Sequence, residues 1–152
     1  MKDNSPTVAS MANGTIELVR DGPVLHVWLN RPLKHNALNT EVLEGIARVF
    51  VDVQTDFAVR AVVLGGRGPS FSSGADRRAA PGRSASVTVA ATMDPPSDRE
   101  LRYAGQIGLR ACGAIADCEV PTIARVQGWY SAHSLLWTYG WHSQGRQDPA
   151  KA

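Results

Sequence analysis

Residues 65–76 read GGRGPSFSSGAD, with Ser70, Ser72 and Ser73 set among glycines. Such a stretch raises phosphate, dinucleotide and nucleophile chemistry in turn, and the spacing rejects each. A phosphate-cradling P-loop closes on Gly-Lys-Ser/Thr, which is missing. A dinucleotide fingerprint needs a third glycine after Gly66-Arg67-Gly68 at an offset where none stands. A nucleophile elbow needs Gly-x-Ser-x-Gly, and no His-Asp pair is placed to activate a serine. What the stretch does offer is main chain. Ser73-Gly74-Ala75 is small enough for a ligand to approach the backbone closely.

Other reactive side chains have blander readings. His26 sits in a strand-like run and reads as a core-edge histidine. His35 sits in a turn and reads as exposed. Cys112 and Cys118 are the only cysteines. They are separated so that a helix points them to different faces, and no histidines stand at zinc spacing, so buried reduced thiols and no metal site are expected. The 16 basic and 14 acidic residues leave a net charge of +2, too balanced to indicate nucleic acid or an anionic membrane as partner.

The elements that must position the small-residue stretch come from periodicity. Residues 15–32, TIELVRDGPVLHVWLNRP, predict two strands joined at Asp21-Gly22, the second ended by Asn30-Arg31-Pro32. Residues 38–56 predict a helix capped by Asn39 or Thr40, with Leu43, Ile46, Ala47, Phe50 and Gln54 on one face. VRAVVLGG is a buried strand, so the helix joins two strands in a crossover unit. After a loop rich in Gly, Ser, Pro and Ala, Ser97-Asp98-Arg99-Glu100 forms a capping box. It opens a second helix with Leu101, Ala104, Gly108, Ala111, Cys112 and Ile115 on one face. VPTIARVQG predicts a third buried strand. Residues 1–13 are expected to be a flexible tail, with Met11 an alternative start. The opening residues lack the apolar core of a signal peptide, and no apolar run reaches the roughly 20 residues of a membrane helix, so a soluble cytoplasmic chain is expected.

Taken in order, these features resemble the N-terminal half of the crotonase superfamily, the enoyl-CoA hydratase/isomerase family. Asn30-Arg31-Pro32 with Asn36-Ala37-Leu38, then Phe71-Ser72-Ser73-Gly74-Ala75-Asp76, then Pro121-Thr122-Ile123-Ala124 leading to Gly128, carry the likeness. The resemblance covers residues 14–129 and implies an α/β fold, an incomplete crotonase-like (ClpP/crotonase) core of ββα units. It implies chemistry on acyl-CoA thioesters, above all hydration of 2-enoyl-CoA in fatty acid metabolism. Coenzyme A enters as part of the substrate, with no separate cofactor. The thioester carbonyl oxygen would lie between two backbone N–H donors, one of them Ala75. Coenzyme A would be read near Lys34, Ala37, Ser73, Asp76 and Arg77, with Lys34 and Arg78 toward its phosphates. Members of the family form trimers and hexamers. Isomerase, hydrolase, dehalogenase and decarboxylase members share these motifs.

Beyond Trp129 the resemblance stops. The family has a glycine-rich turn there, carrying the second oxyanion donor, and then a helix bearing the first catalytic glutamate. In that register His133 takes the second donor's place and Leu136 the glutamate's, and the second glutamate is missing. The genetic code bears on this. Trp is TGG and Thr is ACN, so Trp137-Thr138 read from the third base spells GAC, aspartate. Trp141-His142 read the same way spells GCA, alanine. The family commonly has an Asp-x-Arg-x-Ala-like segment nearby. Residues 130–152 are therefore expected to be an aberrant aromatic tail translated out of frame. The rival expectation to an enzyme is an inactive chain that at most binds coenzyme A or joins an intact paralogue.

Overall fold

The computed structural model describes residues 6–76 and 98–130. Strand β2 (Ile16–Asp21) and strand β3 (Val24–Leu29) pair antiparallel from Ile16 opposite Leu29 to Asp21 opposite Val24. The Gly22-Pro23 connection turns on Gly22 at φ +54, a left-handed conformation that glycine adopts without steric cost. Strand β1 (Thr7–Met11) adds to the free side of β2 in antiparallel register. It lies inside the segment expected as a tail, which corrects that expectation for these residues. Main-chain pairing to an open edge orders them. Their side chains stay largely exposed, so no hydrophobic alternation marks the strand.

Helix α1 (Thr40–Val53) begins at Asn39, whose side chain accepts the Val42 N–H at 3.0 Å. That satisfies one of the donors a helix leaves open at its start. The face that α1 buries is Val42, Gly45, Ile46, Val49, Phe50 and Val53. This corrects the expected stripe: Leu43 and Ala47 are only half-buried and Gln54 lies outside the helix. Gly45 is small because Ile16 packs against it; a Cβ there would come within 2.7 Å of the Ile16 Cδ1.

Strand β4 (Ala61–Gly66) returns parallel to β3, from Val24 opposite Ala61 to Leu29 opposite Gly66, as the crossover reading requires. Helix α2 (Asp98–Ala116) packs on α1, with Ile107, Ala111 and Ile115 buried. Strand β5 (Thr122–Arg125) follows, parallel to β4, giving the order β1-β2-β3-β4-β5. The core therefore lies between one face of the sheet and α1, with α2 contributing Ala111 and Ile115.

Two features set up the rest of the molecule. Trp28, on the sheet face away from α1, lies across Gly65, where a Cβ would meet the indole at 2.5 Å. The guanidinium groups of Arg67 and Arg125 sit 4.5 and 5.4 Å from the Trp28 ring centroid. The expected third buried strand is corrected as well. Thr122 is buried but Ile123 is 56% exposed, because alternation along β5 turns Ile123 to the same sheet face as Arg125 and Trp28, away from the core under α1.

Candidate active site

The sheet delivers two segments to the same place. β3 ends in Asn30-Arg31-Pro32 and turns through a short 3-10 segment at Pro32–Lys34. His35 and Asn36 then take left-handed φ values of 48° and 54°. β4 ends at Gly66 and leads into residues 67–76. Gly66 has no room for a side chain, because a Cβ would lie 2.5 Å from the carbonyl oxygens of both Ser70 and Phe71.

Asn36 joins the two segments. It is 1% exposed. Its Oδ1 accepts the Arg31 N–H at 2.8 Å, and its Nδ2 donates to the carbonyls of Arg67 at 2.9 Å and Ser70 at 2.7 Å. The Asn36 carbonyl accepts the Ser72 hydroxyl at 2.9 Å. His35 adds two more links. Its carbonyl accepts the Ser73 N–H at 2.8 Å, and its Nδ1 lies 3.0 Å from the Ser70 Oγ. Sequence reasoning found no partner to activate a serine here, and the structure does place an imidazole on Ser70. The Ser70 side chain is nevertheless buried, so the contact fixes the loop and presents no nucleophile.

The loop ends in a single parallel bridge between Leu38 and Ala75. The Leu38 N–H donates to the Gly74 carbonyl at 2.8 Å, and the Asp76 N–H donates to the Leu38 carbonyl at 2.9 Å. In such a bridge the residue between the two bonded groups turns its own N–H away from the partner strand. That residue is Ala75, it is exposed, and among the described residues its N–H has no acceptor. Gly74 carries φ +86, which the approach to this bridge requires.

Of the residues singled out from sequence, Lys34, Ala37, Ser73, Ala75 and Asp76 come together here. Lys34 is exposed, and its carbonyl accepts the Ala37 N–H at 3.0 Å and the Ser73 hydroxyl at 3.4 Å. The Asp76 carboxylate accepts a bond from Arg31 Nη2 at 2.9 Å. Arg77, Arg78 and His133 lie outside the described residues, as does the expected tail after Tyr130. Sequence reading missed the roles of Arg31, His35 and Asn36. Arg31 and Asn36 stand in quoted motifs, but their partners are far along the chain.

The third segment closes the loop from the other side. The Phe71 N–H donates to the Gln127 carbonyl at 2.9 Å, and Ser72 bridges Tyr130 in parallel. Gly128 sits at φ +59 with the Pro69 carbonyl where its Cβ would be, 1.9 Å away. Elsewhere, burial pushes the Cys112 thiol up, which disfavours the reactive thiolate. Among the described residues no group of His, Cys, Asp and Glu is arranged to hold a metal ion, and no helix is long and apolar enough to cross a membrane.

Residues 20–133 match the family model for enoyl-CoA hydratase/isomerase. The mitochondrial Delta(3,5)-Delta(2,4)-dienoyl-CoA isomerase of Rattus norvegicus is 32% identical over 111 residues, covering 69% of this chain and 32% of that protein. The short-chain-enoyl-CoA hydratase of Clostridium acetobutylicum is 31% identical over 120 residues, covering 78% of this chain and 41% of that protein. A crystal structure of an enoyl-CoA hydratase/carnithine racemase from Magnetospirillum magneticum superposes with a TM-score of 0.62 at 26% identity, over 80% of this chain and 40% of that one. The chain thus spans well under half the length of these relatives.

Proposed function

The chain belongs to the enoyl-CoA hydratase/isomerase family and has part of its crotonase-like α/β fold, and on that premise we propose that Ala75 donates its N–H to the thioester carbonyl oxygen of an acyl-CoA. The observation that carries the reading is the outward Ala75 N–H at the Leu38 bridge, which has no acceptor among the described residues. Negative charge gathers on the thioester oxygen when water adds to a 2-enoyl-CoA or when a proton leaves the saturated α-carbon of a 3-enoyl-CoA. A donor already aimed at that oxygen lowers the barrier without reorganising. Loss of one such donor in other enzymes costs about 3 kcal/mol. Hydration of 2-enoyl-CoA is the reaction proposed, with isomerisation the nearest relative chemistry because both gather negative charge on the thioester oxygen of an enolate-type intermediate. The segments that carry Lys34, Ala37, Ser73 and Asp76 meet at the Leu38–Ala75 bridge, and these are the residues proposed to read coenzyme A. The exposed Lys34 ammonium suits a coenzyme A phosphate as a charge-assisted donor.

A second reading has its own observation. The β5 flank leaves Ile123, Val126 and Trp129 exposed, and the chain spans about a third of the first relative's length. On this reading the chain binds acyl-CoA or associates with an intact family member and does not turn substrate over. Incubating purified chain with crotonyl-CoA, alongside a calorimetric titration with acetyl-CoA, separates the two. Binding with hydration supports the enzyme, and binding without hydration supports the second reading. Absence of both overturns the site.

A further inference from the structure

We propose that Arg31 is the positioning residue of this site, gripping both flanks of the Leu38–Ala75 bridge so that the Ala75 N–H keeps one direction. Its functional meaning rests on the reading of Ala75 as the oxyanion donor. The geometry itself does not.

Ala37 precedes one bridge residue and Asp76 follows the other. Arg31 Nη1 donates to the Ala37 carbonyl, and Nη2 donates to the Asp76 Oδ2 at 2.9 Å. One planar guanidinium therefore holds one point on each side of the bridge. The spacing of its nitrogens is fixed, so sliding either segment breaks a bond. The ion pair is also shielded from water, its side chains being 12% and 7% exposed for Arg31 and Asp76. Asp76 is then held both at its carboxylate, on Arg31, and at its N–H, on the Leu38 carbonyl. The Ala75–Asp76 peptide has little freedom left, and Gly74 is pinned on the other side by the Leu38 N–H.

Arg31 is itself fixed in place. Its N–H donates to Asn36 Oδ1 at 2.8 Å, and its carbonyl accepts the N–H groups of Lys34 and Asn36, each at 2.9 Å. Pro32 follows directly and restricts the turn. The grip thus starts from a rigid base, as a group that orients a donor requires. Arg31 touches the loop and acts through Ala75; nothing places it on substrate.

The test reads the direction of the Ala75 N–H without ligand. Residual dipolar couplings would be measured on isotope-labelled wild-type chain, Arg31→Lys and Asp76→Asn. Lysine keeps the charge but cannot span both acceptors, and asparagine keeps the shape but loses the charge. The expected result is an averaged, strongly reduced Ala75 coupling in both variants, with the couplings of Ile46 and Leu64 in the core unchanged. If Arg31→Lys does not fold, Asp76→Asn alone decides. An Ala75 coupling that stays native in the folded variants overturns the proposal and leaves Arg31 a purely structural ion pair. Adding acetyl-CoA to the wild type tests the underlying reading separately. An intact Ala75 coupling with no ligand-induced shift of the Ala75 amide would sink the oxyanion role while the positional effect of Arg31 stood.

Discussion

Around Asn36 the main chain is sealed. Asn36, Ser70 and Ser72 are each no more than 2% exposed, yet every one has hydrogen-bond partners. At the edge of the same sheet, β5 and the residues after it meet water with apolar side chains: Ile123 at 56%, Val126 at 41% and Trp129 at 81% exposed. The two regions are only a few strands apart and touch through the Phe71 N–H and the Gln127 carbonyl. One spends polar side chains to hold backbone in an irregular path. The other spends apolar side chains on nothing present among the described residues. The difference teaches that burial of polar groups, with all partners supplied, marks where this fold is specified most tightly. The apolar strand at the edge marks where it is specified least.

The largest expected effect comes from breaking the sealed region. Asn36→Ala removes three side-chain bonds and strands the Arg31 N–H and the Arg67 and Ser70 carbonyls. Each buried group left without a partner costs about 1–3 kcal/mol. Alanine also tolerates the φ of 54° at this position less well than asparagine does. A loss of about 3–5 kcal/mol is expected, close to the whole stability of a marginal domain. Urea unfolding followed by circular dichroism measures it. A loss under about 1 kcal/mol would mean that the loop carries no such load.

The open region should answer differently. Ile123→Thr keeps a β-branched residue in the strand and exchanges an exposed ethyl branch for a hydroxyl. Its effect on the urea midpoint is expected to lie within about 0.5 kcal/mol. Binding of a hydrophobic dye should fall, because an exposed apolar patch shrinks. A destabilisation as large as that of Asn36→Ala would show that Ile123 is covered in solution, and the contrast between the two regions would fail.

The contrast also explains what could be read in advance. The hairpin at Asp21-Gly22, the Asn39 cap and the parallel return of β4 follow from local rules acting over a few residues. The Ser73-Gly74-Ala75 stretch was singled out on the same local grounds, from the small size of its residues. The partners of Arg31 and Asn36 were not legible. Arg31 meets Asp76, and Asn36 meets Ser70, only after the crossover brings β4 beside β3. β1 was missed because exposed strands carry no alternating pattern. β5 was overestimated because an apolar run reads the same whether or not something covers it. The stripe on α1 was misplaced because residues 42–53 are apolar on two overlapping faces, and only packing against Ile16 and the sheet chooses between them.

A comparison of two ion pairs gives the smallest expected effect. Arg31–Asp76 is nearly closed to water, whereas in Arg20–Asp56 the side chains are 34% and 42% exposed. The Arg20 guanidinium bonds Asp56 Oδ2 at 2.6 Å and is the main cause holding that carboxyl below its usual value of 3.8. The Ala58 N–H, which donates to Asp56 Oδ1 at 3.1 Å, assists. A folded-state value below the unfolded one means that the folded protein binds the proton less readily. The stabilisation is then complete above the unfolded carboxylate value and is lost as pH falls through the folded one. Asp56→Asn should accordingly remove a small part of the stability at neutral pH and flatten the decline in stability below about pH 4. Because water and salt screen so exposed a pair, added salt should shrink the difference between the variant and the parent. Thermal melts from neutral pH down through that acidic range, at low and high salt, read all three. A variant that tracks the parent at every pH would show that the Arg20 contact contributes nothing in solution. A pH-dependence unmoved by salt would show that Asp56 is as enclosed as Asp76.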